Sequence, residues 1–170
     1  MPRPASSEYA SFYSGYVDLV PEPEAVSLLH PQLAECEELF ATWTEDQWSH
    51  RYEPGKWSIR ELVGHLADTE WVFASRALWF ARGDTTPLPG MDQDDFVRGA
   101  HFDSQTGVAL AAQFCSLRRA TIALFESFDE SVLSREGTAS DCPFTVRSVS
   151  YILVGHVRHH LRVLQERYLD

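Results

Sequence analysis

The sequence has few cysteines, few basic residues and no long apolar run. Its 170 residues include only Cys36, Cys115 and Cys142, and no two of them are spaced as CxxC. An odd number of cysteines without that spacing argues against a disulfide framework and indicates reduced thiols. The first residues lead into no apolar segment, so we expect no secretory signal and a cytoplasmic location.

The shortage of basic residues excludes some partners. The chain has 14 Lys and Arg against 25 Asp and Glu, which gives a formal net charge of −11. Such a charge repels phosphate, so we expect no binding to nucleic acid or to anionic membranes. The longest uncharged stretch, residues 104–117, has 14 residues and includes polar ones. A membrane-spanning helix needs about 20 apolar residues, so none is expected.

The composition is otherwise that of a soluble globular protein. Apolar residues make up 44% of the chain and charged residues 23%. A chain of this length suits one domain with a core large enough to fold without disulfides. We therefore expect residues 1–170 to form a single domain.

Four amphipathic stretches follow one another, separated by segments rich in Pro, Gly and Asp. Apolar residues recur at helical spacing in each of them. The pattern predicts four helices, over residues 23–43, 58–82, 104–128 and 145–168. Pro23 suits the first turn of the first helix.

Polar residues with good capping chemistry stand at three of the predicted helix starts. Ser58 followed by Glu61 is a capping-box pattern at the second helix. We expect Asp103 or Ser104 to cap the third helix and Thr145 to cap the fourth.

Helices that each carry one apolar face bury those faces by packing as a bundle, so the predicted fold class is an all-α four-helix bundle. No run of strand-like alternation competes with the helices. Residues 83–103 form a long connection, in which a short turn is expected around residues 94–99, and residues 137–143 form another break. The aromatic segment 9–16 is expected to form an extra turn on the outside of the bundle.

Three of the seven histidines fall on the predicted inward faces of two helices. His156 and His160 are one helical turn apart on the fourth helix, and His65 lies in the middle of the second. Three buried imidazoles must be satisfied together, and a divalent metal does so because each neutral ring offers a lone pair. The structural alternative is a set of stacked core histidines. Metal binding should weaken below about pH 6, where imidazole takes up a proton.

Two common metal motifs do not fit these histidines. Zincins place a Glu directly after the first His of HExxH, but Val157 holds that position here. Ferritin-like di-iron proteins need Glu-x-x-His on two helices, and no Glu of this chain has a His three residues later. The remaining interpretation is a mononuclear site with three His ligands and room for water or a substrate atom, which is typical of catalytic sites.

Three segments resemble a known family. Residues 56–70, KWSIRELVGHLADTE, resemble the second-helix signature of the DinB/YfiT-like superfamily. Residues 156–161, HVRHHL, resemble its fourth-helix signature, and residues 16–22, YVDLVPE, are similar to the lead-in of one branch. Together with the four-helix layout, the resemblance covers nearly the whole chain.

The resemblance implies a bundle in an unusual up-down-down-up order. It also implies a divalent ion bound by His65, His156 and His160, most often zinc or nickel, with manganese and iron as alternatives. Characterised relatives include thiol transferases that use low-molecular-weight thiols such as bacillithiol, and mycothiol-dependent isomerases. Others are described only as metal-dependent hydrolases, and many are homodimers.

Asp68, one turn after His65, is the candidate catalytic residue. It would orient a ligand ring or a bound water, although a packing contact or a pairing with an Arg would explain it equally well. Arg118, Arg119 and Arg158 are expected as surface ion-pair partners rather than as anchors for a carboxylated substrate. Among the cysteines, we expect Cys115 to be buried and Cys142 to be exposed.

Three functions remain open at this point. The favoured one is an enzyme that activates a thiol or water for transfer to a small electrophilic substrate, as a homodimer. The alternative is a non-catalytic metal-binding or regulatory bundle. The third is a purely structural bundle without metal.

Overall fold

The structure, a computed structural model, describes residues 3–169. Within this range it contains eight helices and one two-stranded hairpin: α1 (Ser14–Asp18), α2 (Leu29–Phe40), α3 (Glu45–Trp48), α4 (Ile59–Ala81), α5 (Gln93–Ala100), α6 (Gly107–Glu126), α7 (Glu130–Leu133), β1 (Glu136–Ala139), β2 (Cys142–Thr145) and α8 (Val146–Arg167). Met1, Pro2 and Asp170 lie outside the described residues, and the single domain over residues 1–170 stays a prediction.

The four long helices α2, α4, α6 and α8 correspond to the four predicted ones, and two of their caps are confirmed. The Ser58 hydroxyl accepts a hydrogen bond from the backbone N–H of Glu61 at 3.1 Å, and the Glu61 carboxylate accepts one from the N–H of Ser58 at 2.7 Å. At α8 the Thr145 hydroxyl accepts from the N–H of Ser148 at 3.1 Å. These bonds satisfy N–H groups that have no partner inside the helix.

The first helix begins later than predicted. A 3-10 turn over Val26–Leu28 precedes α2, so Pro23 does not form its first turn. Arg158 of α8 donates to both carboxylate oxygens of Glu22 at 2.8 Å and to the Leu19 carbonyl at 2.8 Å. The chain before α2 is therefore held against α8 by tertiary contacts, which helical periodicity cannot reveal.

The third helix also begins later, and its predicted caps are wrong. The N-cap is Thr106, whose hydroxyl accepts from the N–H of Ala109 at 3.2 Å. Ser104 lies in a short 3-10 turn before the helix. Asp103 instead accepts hydrogen bonds from the Ser58 hydroxyl at 3.1 Å and from Arg51 at 2.7 Å, so its side chain ties the start of α6 to the start of α4.

The break predicted at residues 137–143 is an antiparallel hairpin, which the sequence pattern does not reveal. Strand β1 pairs with β2 from Glu136 opposite Thr145 to Ala139 opposite Cys142. The two turn residues, Ser140 and Asp141, have φ of 53° and 59°. Turns of this kind usually show Asn-Gly or Asp-Gly in the sequence. Here that signal is absent and the strands are four residues long, so alternation is not visible.

The long connection between α4 and α6 is partly ordered as helix. The short turn predicted around residues 94–99 is confirmed as α5, whose N-cap Asp92 accepts from the N–H groups of Asp94 and Asp95, each at 3.0 Å. Earlier in the connection, the N–H of Leu88 donates to the Thr138 carbonyl at 2.9 Å. A backbone hydrogen bond therefore joins the connection to strand β1 of the hairpin.

Contacts between helix ends give the directions of two helix pairs. His30 at the start of α2 lies 2.9 Å from the carboxylate of Glu126 at the end of α6, so α2 and α6 are antiparallel. The Tyr168 hydroxyl, just after α8, donates at 2.7 Å to the carbonyl of Trp57, just before α4. Helices α4 and α8 are therefore antiparallel as well.

Helices α4 and α6, in contrast, run parallel. The Phe102 ring, ahead of α6, packs on Gly64 near the start of α4, where an added Cβ would come within 2.5 Å of it. At the other end, the guanidinium carbon of Arg82 lies 5.9 Å from the centre of the Phe128 ring. With the two antiparallel pairs, the long helices run up, down, down, up.

A buried polar network joins all four long helices. Arg118 of α6 is fully buried and donates to Glu70 of α4 through two hydrogen bonds of 2.9 and 2.8 Å. It also donates to the side-chain oxygen of Gln32 on α2 at 2.7 Å, and Gln32 donates to the Val154 carbonyl of α8 at 3.0 Å. Arg118 was expected at the surface. The sequence pattern does not reveal the buried position of Arg118, because its partner Glu70 is distant in sequence.

The other expectations for single side chains fare better. Arg119 pairs with Glu37 at the surface, and Arg158 with Glu22. Cys115 is buried as predicted, whereas Cys142 is half-buried rather than exposed.

Helix α6, Gly107–Glu126, is the one helix among the described residues that is long and apolar enough to cross a membrane. In this structure it packs against α2 and α4 and carries the buried Arg118.

The buried network predicts unequal effects for two neighbouring arginines. Arg118→Met should destabilise the protein by about 3–5 kcal/mol, because it leaves the buried Glu70 carboxylate without a partner. Arg119→Met should change stability by about 1 kcal/mol or less, since that ion pair is exposed. Urea unfolding monitored by circular dichroism measures both values.

A double variant separates the charge from the packing. Glu70→Leu combined with Arg118→Met should recover part of the loss, because no uncompensated charge remains. Equal destabilisation by Arg118→Met and Arg119→Met would contradict the role given to the network.

Candidate metal centre

The structure brings together the three histidines that the sequence singled out. His65 lies in the second turn of α4, and His156 and His160 lie on consecutive turns of α8. The Nε2 atom of His156 is 3.0 Å from that of His65 and 3.1 Å from that of His160. One ligand atom from each of the three rings falls within 4.8 Å of the others. Two antiparallel helices therefore point three ring nitrogens at one position.

Burial keeps these rings neutral. His65, His156 and His160 are 2%, 6% and 8% exposed. Burial lowers the pKa of His65 to about 4. Burial, together with the neighbouring rings, also holds the pKa values of His156 and His160 well below the ordinary 6.5. The lone pairs are thus free at neutral pH. The weakening of metal binding below about pH 6 stays a prediction.

The spacing of the nitrogens fits a shared divalent ion. Two nitrogens that are each about 2.0–2.1 Å from one tetrahedral zinc ion lie about 3.3–3.4 Å apart, a few tenths of an ångström more than the 3.0 and 3.1 Å between the ring nitrogens here. The described protein offers the three Nε2 atoms no hydrogen-bond donor other than the rings themselves. The Nδ1 atoms of His65 and His160 are buried and have no partner in the described chain, so protein hydrogen bonds do not select their tautomers.

Helix α1 forms a wall of this site, which corrects the expectation of an extra turn on the outside. Val17 is fully buried, and the Tyr16 backbone lies directly on Gly155 of α8. A Cβ added to Gly155 would come within 2.0 Å of the Tyr16 carbonyl oxygen. This close approach sets the Tyr16 ring edge-on to His156, with 5.3 Å between the ring centres.

Aromatic rings enclose the cluster on other sides as well. The Trp57 ring centre lies 4.9 Å from that of His65. His159, expected to be peripheral, is half-buried, and its ring is edge-on to His160 at 5.0 Å. The cluster thus lies in a largely apolar environment, where electrostatic interactions are strong.

Two cavities reach the histidines from different directions. The first, of about 110 Å³, touches His65 and His156 and is walled by Tyr13, Tyr16 and Phe73. The second, of about 310 Å³, touches His160. Its other walls include Tyr52, Lys56, Trp57, Asp94 and Tyr168. Small molecules therefore have room next to the ring nitrogens on two sides.

Asp68 lies at the edge of this arrangement. It is half-buried, and burial raises the pKa of its carboxyl group. No hydrogen bond joins Asp68 to His65, His156 or His160, and Asp68 is not among the side chains that line the two cavities. Its catalytic role stays a prediction.

Thr69 and Arg76 are among the cavity residues that were not singled out as functional from the sequence. Thr69 lies one turn after His65, is 3% exposed, and its hydroxyl has no hydrogen-bond partner in the described chain. Arg76, two turns further along α4, lines the same cavity as His65. Both lie on the same buried face of this helix as His65, and polar residues spaced on such a face are the signal that would have found them.

These features define a helical bundle with a buried three-histidine cluster suited to a divalent metal. The DinB superfamily profile matches residues 28–164 of the sequence. The chain therefore belongs to the DinB superfamily, as its second-helix and fourth-helix segments indicated.

A solved structure shares the fold. YfiT from Bacillus subtilis, a probable metal-dependent hydrolase with an unusual four-helix bundle topology, superposes with a TM-score of 0.73 at 18% sequence identity. The superposition covers 96% of this chain and 89% of YfiT. No curated protein matches the sequence. At this identity, the likeness to YfiT establishes the fold.

The low pKa values of the histidines predict a pH-dependent stability. In the unfolded chain these rings take up protons near pH 6.5, whereas the folded protein resists protonation down to about pH 4 at His65. The metal-free protein should therefore lose stability as the pH falls from about 6.5, by up to about 1.4 kcal/mol per pH unit for each ring. Urea unfolding of chelator-treated protein at pH 7 and pH 5.5 measures the loss.

One variant assigns this pH dependence. His65→Gln should make it shallower, because one buried ring no longer takes up a proton on unfolding. Equal stability at pH 7 and pH 5.5 would show that the three rings are not neutral and buried in solution.

Proposed function

We propose that this protein is a metal-dependent enzyme that acts on a small electrophilic molecule. A divalent ion, with zinc or nickel preferred, is bound by His65, His156 and His160. The observation that carries the proposal is the convergence of three neutral Nε2 atoms, 3.0 and 3.1 Å apart, in a buried position open to two cavities. Three protein ligands leave at least one coordination position for water or substrate, as in catalytic sites.

The ligand set suits activation of a nucleophile. When bound, the ion would supply Lewis acidity that lowers the pKa of a coordinated water or thiol. Because all three histidine ligands are neutral, the site would keep the full double positive charge of a divalent ion. The apolar walls around Trp57, Tyr16 and Phe73 exclude bulk water and strengthen that charge.

The two cavities favour a reaction between two small molecules. One cavity approaches the cluster at His65 and His156, and the other at His160. A thiol or water entering from one side would meet an electrophile entering from the other. We therefore favour transfer of a low-molecular-weight thiol to the electrophile. Hydrolysis would be the corresponding reaction with water in place of the thiol.

We assign Asp68 a positioning role in this reaction. Its carboxyl group is half-buried, and burial raises its pKa, so the side chain is poised to exchange a proton more readily than an exposed aspartate. It lies one helical turn from His65, from which it would act through an intervening water.

The competing proposal is a non-catalytic metal-binding or regulatory bundle. It would hold if a fourth protein ligand closed the site. Among the described residues, the cluster of candidate ligand atoms contains the three histidines and no fourth residue. A cytoplasmic location and a homodimer remain part of the proposal as expectations from the sequence.

Metal content tests the ligand assignment. His65→Ala, His156→Ala and His160→Ala should each lose most of the bound metal, because two ligands hold an ion far less tightly than three. His159→Ala is the matched control on the same helix and should keep one ion per chain. Elemental analysis of protein purified without chelator and loaded with zinc measures the content. Stoichiometric metal in the His156→Ala and His160→Ala proteins would mean that the site is elsewhere.

Cobalt substitution tests whether the site is open to a thiol. Added thiol should produce an intense near-ultraviolet charge-transfer band in the cobalt protein, and the protein should conjugate the thiol to a generic electrophile. His65→Ala should abolish both. A spectrum that responds to small anions but to no thiol would favour hydrolysis, and one that responds to neither would show a closed, non-catalytic site.

Asp68→Asn tests the positioning role in the same assay. It should lower the conjugation rate more than the metal content and should change the pH profile of the rate, because the amide cannot exchange a proton. A rate that falls only in proportion to metal content would assign Asp68 to structure.

A further inference from the structure

The first cavity touches the histidine cluster and reaches Arg76, which also borders a further cavity. His65, Thr69, Phe73 and Arg76 occupy successive turns of one face of α4 and all line the first cavity. At 1.5 Å of rise per residue, the Cα atoms of His65 and Arg76 are about 16 Å apart. The cavity thus has a metal-binding end and a cationic end.

Arg76 is a buried cation without a counter-ion. It is 3% exposed, yet among residues 3–169 no carboxylate lies within 4.0 Å of its guanidinium. Arg118, equally buried, is neutralised by Glu70. The other Lys and Arg side chains that lack a carboxylate partner are exposed: Lys56, Arg82, Arg135 and Arg167. A buried charge is costly unless it is paired. Arg76 is therefore the cation whose charge a bound anion would neutralise.

The surroundings of Arg76 orient it without neutralising it. Its Nη2 donates to the Pro89 carbonyl and to the Ser140 hydroxyl, each at 3.0 Å. Its guanidinium carbon lies 4.8 Å from the centre of the Phe73 ring and 5.6 Å from that of Phe144. All four partners are uncharged. Its Nε and Nη1 groups make no hydrogen bond within the described chain, so donors are left for a ligand.

We propose that Arg76 binds the carboxylate of a small organic acid whose other end lies at the histidine cluster. This inference rests on the proposed function and narrows its substrate class to a molecule with a carboxylate at one end. The Nε–H and Nη1 groups lie on different edges of the guanidinium, and either can give a charge-assisted hydrogen bond to a planar, singly charged carboxylate. The walls add no second cation for a dianion, and their aromatic rings suit an apolar body between the two ends. Thr69, which also lines the cavity, lies between them on the same face of α4.

The test compares acids with their neutral amides. Benzoate and hexanoate, against benzamide and hexanamide, are titrated into the full-length protein as purified and after treatment with chelator. We expect each acid to bind the metal-free protein about tenfold or more tightly than its amide, since hydrogen bonds to a charged group are strong. Arg76→Gln should abolish the preference, Arg76→Lys should keep part of it, and the exposed Arg82→Gln is the matched control that should keep all of it.

A measurement on the unmodified protein guards against misfolding of the variants. The Nε–H resonance of Arg76 should shift with benzoate and not with benzamide. Equal binding of acid and amide, no binding of either, or an unchanged preference in folded Arg76→Gln would each overturn the inference. Because one of the two titrations uses chelator-treated protein, a protein that binds benzoate through Arg76 but no zinc at the histidines would refute the proposed function alone.

Discussion

The buried contact between Arg118 and Glu70 is the interaction on which the geometry of the site depends. The guanidinium of α6 is bound to α4 through Glu70, to α2 through Gln32, and from there to the Val154 carbonyl of α8. Glu70 is five residues from His65, and Val154 is two residues from His156. Sliding either helix would break a hydrogen bond in the core, where an unpaired polar group is costly. The network therefore holds the two histidine-bearing helices in one register.

The two buried arginines have different partners. Arg118 stabilises the fold, whereas we propose that Arg76 binds a ligand. The positive charge of Arg118 is neutralised by Glu70, and its hydrogen bonds join it to neighbouring helices. Arg76 has only neutral partners, and it lines a cavity that also touches neutral histidines. A protein with a net charge of −11 thus has a cavity at the histidines whose walls carry a cation and no carboxylate, and Arg76 also borders a further cavity without carboxylates. The cavity at the histidines is suited to an anionic small molecule, although the surface as a whole repels anions.

Helical periodicity and capping chemistry predicted the long helices, and the i, i+4 pair His156 and His160 with His65 predicted the cluster. These features are local, or they follow from which face of a helix is buried. The features that were missed depend on contacts distant in sequence: the position of Arg118, the packing of α1 on Gly155, and the hairpin with its Ser140-Asp141 turn. Each one depends on where separate elements meet, which a pattern along the chain does not contain.

The most direct test of the central claim is anomalous diffraction at the zinc edge from crystals of the zinc-loaded protein. The account predicts one peak per chain, about 2.0–2.1 Å from the Nε2 atoms of His65, His156 and His160, with at least one further ligand that is not part of the protein. A peak bound by other residues, a fourth protein ligand that closes the site, or an empty histidine cluster in the zinc-loaded protein would contradict it.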